Sequence, residues 1–362
     1  MAINLATKYA DVIDERFALE SLTASAVNND YDFSGAQTVK VYAMDTAPLN
    51  DYVNSGSNRY GIPAELGDAV QELTMRKKRS FTFTIDRTNA VDSPEGIRDA
   101  ANALSRQLNE VVIPEIDMWR LQCMAEEGAG SGVEAITASN AYSTFLSAMA
   151  EMTEKKVPVT GRVAFVTPAY YSLLKQDGAF ISAGDLAQDM LIKGQVGMVD
   201  GAAIIVVPSS YLQAGMSFLI THPCATTAPQ KLAEYTIHEN PPGIAGNLVE
   251  GLTYYDAFVL DNKKDAIYSH YGQEGSLQIS MAAAESGSGI VTVSGNTNGG
   301  SLYYKASSSV TVPGFGEAVG DWTKLPEDGK ISASSGNKVA VVLANNAGSV
   351  VAASDVIAVT VG

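Results

Sequence analysis

From Ser93 to Gly128 apolar residues recur at helical spacing: Ile97, Ala101, Leu104, Leu108, Val111, Val112, Ile116, Trp119 and Cys123. Ser93 is a suitable N-cap, Pro94 sits where a first helical turn tolerates proline, Glu95 complements the positive helix end, and Gly128 is a natural stop. The pattern predicts one helix of roughly 50 Å, with a kink or break at Pro114, which removes a backbone donor and crowds the preceding turn. A helix with one apolar stripe should lie across a sheet, as the spine of an extended, flat subunit.

Other stretches alternate with period two. Residues 38–44 and 79–87 read as strands, the second with Phe81, Phe83 and Ile85 on one face and Thr82 and Thr84 on the other. Between them lie about 35 residues rich in Asn, Ser, Gly, Tyr and Pro, long for a compact domain. Strand, loop and returning strand are expected to form an extended hairpin that must lie on something else to be stable. Residues 8–22 read as a short amphipathic helix, packed on its own domain or lying as an arm on a neighbour. Residues 139–155 predict a second helix. Val163–Val166 reads as a buried strand running into a helix, with Thr167 as N-cap and Pro168 first. Two short strands flank the turn pair Asp200-Gly201, and residues 216–222, 231–239, 248–260 and 266–272 read as further strands.

After residue 275 the composition turns to Ser, Ala, Val and Gly. Short strands separated by turn signals such as NTNGG and PEDGK predict an all-β sandwich of about seven strands over 276–362, joined by QEGS as an independently folding appendage. The expected fold class is therefore α+β, with a separate β-sandwich at the C-terminal end.

Charge sharpens this picture. The net charge is −16, and the four Lys/Arg and six Asp/Glu of residues 276–362 leave −14 for the rest. A tight nucleic-acid binder would be basic. An acidic container is compatible with enclosed DNA, since repulsion lets the polymer slide. The one dense basic cluster is Arg76, Lys77, Lys78 and Arg79, either a solvated strand end or an electrostatic contact with an acidic neighbouring subunit. No secretory signal pattern opens the chain and no run of 18 apolar residues occurs, so a soluble cytosolic product is expected, with no membrane partner.

The search for chemistry returns nothing. His222, His238 and His270 are not at metal-ligand spacing, and the sequence contains no HExxH, GxSxG or P-loop. Cys123 and Cys224 form no metal pattern. No catalytic residue, metal or cofactor is expected, which favours a structural role over an enzyme. An adhesin would need the missing signal.

The order of these features resembles the major capsid protein of tailed bacteriophages with the HK-97 shell fold. The resemblance runs from residue 1 to about 272. It rests on the order of parts and on local phrases: VVIPEID at Val111–Asp117 in the helix, FVTPAYYSLLK at 165–175, and GQVGMVDGAAIIVVPS at 194–209. It implies an N-arm (1–37), an E-loop hairpin (38–87), a P-domain (88–130 and 231–265) and an A-domain (131–230 and 266–275). Residues 276–362 resemble the bacterial Ig-like domains attached to some of these proteins. The resemblance implies pentamers and hexamers of this chain in an icosahedral shell around double-stranded DNA, with a scaffolding protein and a portal as partners. An outward Ig-like domain with weak glycan binding is a further expectation. The alternative is an encapsulin-like nanocompartment. With the arm beginning at Met1, scaffolding would come from another protein or from a segment already removed. Residues 41–75 contain no lysine, and Arg59 is their one basic residue, so the lysine–asparagine cross-link of some relatives is not expected. Arg59 and Arg76–Arg79 are the candidate intersubunit contacts.

Overall fold

The computed structural model describes residues 21–31, 33, 37–44, 46–63, 65–87, 100–181, 197–284 and 288–359. Residues 8–20 of the helix expected over 8–22, and the cap expected at Ser93, lie outside them. The protein is mixed α+β, and none of its described helices is long and apolar enough to cross a membrane.

The long helix is present but interrupted. An α segment Ala100–Gln107 passes through a π-turn, Leu108–Val112, into a second α segment, Ile113–Glu127. The break expected at Pro114 therefore takes the form of a wider turn just upstream. That turn relieves the clash with the proline ring, and Pro114 then occupies the first turn of the new segment, where its missing donor costs little. Gly128 ends the helix: its N–H donates to Met124 O at 3.0 Å, and a Cβ there would lie 2.7 Å from Ile267 Cγ2.

The helix packs on a three-stranded antiparallel sheet, Gln230–Glu239, Gly246–Tyr255 and Lys77–Asp86 in spatial order. Phe81, Phe83, Ile85, Tyr235, Ile237 and Val249 meet Leu104, Leu108 and Val112 on the helix, the amphipathic match that the two periodicities require.

The hairpin differs from the sequence expectation. Thr38–Met44 pairs in full register with Asp68–Thr74, Thr38 opposite Thr74 and Met44 opposite Asp68. The strand once expected as its return, Lys77–Asp86, pairs instead with Gly246–Tyr255. The true return strand, DAVQELT, exposes five of its seven residues and buries only Leu73, so its alternation is too weak to read.

A six-stranded sheet follows, in the order Gly130–Val133, Ile267–Tyr271, Met216–Thr221, Val163–Val166, Ala202–Val206 and Met198–Val199. Helices Ala141–Glu154 and Pro168–Gln176 contribute Phe145, Met149, Tyr170 and Leu174 to its core. Thr167 caps the second helix, its Oγ1 accepting from Tyr170 N at 3.3 Å. Asp200 (φ 48°) and Gly201 (φ 80°) form the tight turn between the two short strands. His270 is buried in this sheet, stacked on Phe218 at 4.9 Å with Nε2 3.2 Å from Glu134 O. Burial pushes its imidazole below the ordinary value of 6.5, while Glu134 and the buried Tyr268 phenol are its titratable neighbours. The unfolded chain therefore binds more protons once the pH falls below 6.5, and stability present above that value is lost on acidification. His270→Phe, which keeps the stack, is expected to flatten the fall in melting temperature between about pH 6.5 and 5. An unchanged slope would refute the assignment.

The C-terminal β unit is built around a strand that changes sheets. Residues 275–277 pair in parallel with 352–354, while residues 278–283 pair antiparallel with 289–294. Strand Lys338–Ala344 is buried on both faces. Val339, Val341 and Leu343 join Val291, Ile331 and Val351 in one core, while Ala340, Val342 and Ala344 are covered by Val319 and Trp322. The unit is no free appendage. Its core is continuous with that of the six-stranded sheet. Gly275, expected in a loose joint, is already in the strand, and a Cβ there would lie 2.9 Å from Ala352 Cβ and 3.0 Å from Ala214 Cβ. Asn296 Nδ2 donates to Leu212 O (2.7 Å), Asn298 Nδ2 to Ser210 O (3.0 Å), Asn345 Nδ2 to Ser131 Oγ (3.1 Å) and Asn346 Nδ2 to Gly128 O. Local strand patterning shows that such a unit exists, but not which surface it covers.

Candidate subunit interface

The hairpin is fixed at its base and bare beyond it. At the base, Phe33, Leu73, Met75, Tyr254, Phe258 and Leu260 form a small separate core, with Phe33 and Phe258 stacked at 5.8 Å. Gln71 Nε2 donates to Val259 O (2.9 Å), and its Oε1 accepts from Asp261 N (3.0 Å). Further out, nine of the sixteen exposed large hydrophobic side chains among the described residues fall between residues 42 and 70. Leu49 is fully exposed, and Tyr60 and Ile62 are more than four-fifths exposed. Scattered exposed apolar residues are ordinary, but this concentration marks a binding surface.

The loop tip is nevertheless ordered. Val53 N donates to Arg59 O (3.1 Å), Gly61 N to Asn58 O (3.0 Å), and Asn50 Nδ2 to Tyr60 O (3.4 Å). Tyr52 and Tyr60 meet edge to face at 5.1 Å. Gly56 (φ 91°) and Gly61 (φ 92°) take the left-handed turns this path needs. A tip folded in advance loses less entropy on docking.

The basic cluster lies where the hairpin meets the sheet, and its members first find partners in their own chain. Arg79 Nε donates to Glu115 Oε1 at 2.6 Å. Lys77 Nζ sits 3.8 Å from the centre of the Trp119 ring, and Lys78 Nζ 4.9 Å from that of Tyr254. Arg76 pairs with Asp256, its backbone N at 2.7 Å and its Nε at 3.3 Å from Oδ2. The Arg59 side chain, at the tip, donates from Nε to Gly56 O at 3.2 Å. Arg59, Arg76, Lys78 and Arg79 remain exposed and Lys77 half-buried.

The organising residue of this junction is Asp256, which sequence reasoning missed. It is buried, and Oδ1 also accepts from Trp119 Nε1 (2.8 Å) and Ala257 N (2.9 Å). One carboxylate thus ties the hairpin base, the helix and the strand end together. A lone acid in the apolar run TYYDAFVL was the available signal. Asp256→Ala would leave a guanidinium and an indole N–H without their acceptor. It is expected to cost about 2–4 kcal/mol in denaturant unfolding, chiefly from the Trp119 and Ala257 donors left unsatisfied, since Arg76 reaches water; a loss under about 1 kcal/mol would refute this role. A second buried acid, Asp117, holds the segment before the hairpin, accepting from Ser21 Oγ (2.6 Å), Leu22 N (2.9 Å) and Thr23 Oγ1 (2.5 Å). Among the described residues no three His, Cys, Asp or Glu side chains cluster as metal ligands.

The fold of this chain is similar to those of solved structures. A structure from Mycobacterium phage Che8 matches with a TM-score of 0.57 at 19% identity, covering 69% of this chain and 90% of that one. The chain shares the fold of phage capsids. The cyanophage P-SCSP1u capsid matches at TM-score 0.56 and 13% identity, covering 68% of this chain and 85% of that one. The mature capsid of bacteriophage PhiM1 gives 0.55 and 13%, covering 70% and 86%. No protein-family model matches the chain, and no curated protein does. The fold is thus shared here by a sequence far removed from those of these three structures.

Proposed function

We propose that this chain is a major capsid protein of HK-97 type, assembling through pentamers and hexamers into an icosahedral head around double-stranded DNA. The observation that carries the reading is the hairpin: an ordered loop with a concentrated, unburied apolar surface, on a fold shared with phage capsids. A lone subunit gains nothing from that surface, whereas a neighbour covering it gains about 25 cal/mol per Å². In this reading the hairpin is the E-loop, the helix and three-stranded sheet form the P-domain, and the six-stranded sheet forms the A-domain. Residues 1–37 are the N-arm, and Arg59 with Arg76–Arg79 contribute to contacts between copies. The shell is held non-covalently, a scaffolding protein and a portal take part in assembly, and the virion is the site of function. The C-terminal unit serves as an Ig-like domain on the outer surface, where many copies would turn weak glycan contacts into avidity. DNA packed inside would leave little room for it there.

Electron microscopy of the expressed protein tests the reading. Closed polyhedral particles are expected. Monomers alone, at every concentration and with the scaffolding protein present, would overturn it. Nucleic acid rather than protein cargo inside native particles separates a phage head from a nanocompartment.

A further inference from the structure

Between the edge strand Gly130–Val133 of the six-stranded sheet and helix Ala141–Glu154 lies an open pocket of about 290 Å³. Its strand side includes Gly132, Tyr268 and His270, and its helix side Ser143 and Ser147. Glu134 is the one charged residue that lines it.

His270 is only 2% exposed. Its Nε2 lies 3.2 Å from Glu134 O, a carbonyl that can only accept. In the neutral ring the proton therefore sits on Nε2, and Nδ1 is a bare acceptor. Burial lowers the pKa of this imidazole, so the neutral form prevails near neutral pH. Among the described residues no donor reaches Nδ1. Leaving a buried acceptor unpaired is costly, and native proteins satisfy nearly all of them. A glycine keeps open the space in front of it. Gly132 stands opposite His270 in the parallel ladder, and a Cβ there would lie 2.7 Å from Nδ1 and press on Tyr268 Oη.

Other groups in the pocket also present lone pairs. Ser143 and Ser147, one helical turn apart, give their hydroxyl protons to Asn140 O (3.1 Å) and Ser143 O (3.0 Å). Glu134 adds a carboxylate whose field reaches both Tyr268 and His270. The Asn140 amide is engaged elsewhere, donating to Ala135 O and accepting from Thr137 N. The positive start of the helix is already met by Asp177, whose Oδ2 accepts from Tyr142 N at 2.9 Å, so it does not call for an anion. A lining of acceptors with one negative charge matches a group that only donates and is itself positive. A primary ammonium has three N–H donors and no acceptor.

We propose that this pocket binds a small primary ammonium compound. Its head lies above Gly132 and donates to His270 Nδ1 and Tyr268 Oη, Glu134 is its counter-charge, and Ser143 and Ser147 accept on the helix side. The site lies within one subunit and stands whether or not the chain builds a shell.

Isothermal titration calorimetry of the full chain with ethanolamine near neutral pH tests it. Ethylene glycol, which replaces the ammonium by a hydroxyl, is the control. One saturating site per chain is expected, of about millimolar affinity for so small a probe. Glu134→Gln and His270→Phe are each expected to weaken binding about tenfold. The first is an exposed change and should melt with the parent, so its loss of binding is not a loss of fold; the second keeps the stack on Phe218. No saturating heat at up to about 10 mM ethanolamine would mark the pocket as solvent only and overturn the proposal. Equal binding of ethylene glycol, or binding that either variant leaves undiminished, would overturn it as well.

Discussion

Removal of residues 273–362 is expected to collapse the body of the subunit rather than to release a trimmed shell protein. Were residues 276–362 an independently folding appendage, truncation after Gly275 would leave closed shells of unchanged diameter lacking only their outer density; the continuous core argues against this. Beneath the C-terminal unit lie Ala125, Val133, Leu212 and Ala214, the last in contact with Gly275 and Ala352. Gly215 (φ 75°) is so closely covered that a Cβ would lie 2.5 Å from Gln273 O and 2.8 Å from Val351 O. Truncation exposes this surface and removes the amides of Asn296, Asn298, Asn345 and Asn346 from their acceptors. At about 25 cal/mol per Å², every ~100 Å² of newly exposed apolar area costs roughly 2.5 kcal/mol, against a whole stability of about 5–15 kcal/mol for many domains. The truncated chain should be largely insoluble, or should melt far below the parent. A soluble product melting within a few degrees of the full chain would refute this.

The second large effect concerns assembly alone. Replacing Leu49, Tyr52, Tyr60 and Ile62 together with Ser is expected to abolish particles while leaving the subunit folded. Leu49, Tyr60 and Ile62 bury little in the isolated chain and Tyr52 is half exposed, so the loss is confined to the loop tip and the body of the monomer has little to lose. Each is expected to contribute about 2 kcal/mol when covered by a neighbour, and the loss is multiplied over every contact in a closed shell. Size-exclusion chromatography should show soluble subunits with the parent's circular dichroism and melting temperature. Particles at the parent's yield would show that the hairpin surface is not an assembly contact. The two experiments separate cleanly, since one perturbs folding and the other only association.

The sequence by itself determined much of the local structure. Strand Thr38–Met44, the strand–cap–helix passage Val163–Gln176, the turn at Asp200-Gly201 and the stop at Gly128 all stand where their residues place them. Each depends on alternation, capping or a backbone angle set within a few residues. The exposed hairpin loop was legible for the same reason: a long polar stretch with no period to bury. Tertiary structure alone decided the rest. It paired Lys77–Asp86 with a strand some 170 residues away, set the π-turn ahead of Pro114, and gathered Arg76, Trp119 and Ala257 on Asp256. It also fused the C-terminal unit to the sheet through Ala214, Gly215 and Gly275. Pairing partner and register depend on which faces meet across long loops, and hairpin closure costs little more for one distant partner than for another. Local periodicity fixes which face is apolar; only the assembled core fixes what that face meets.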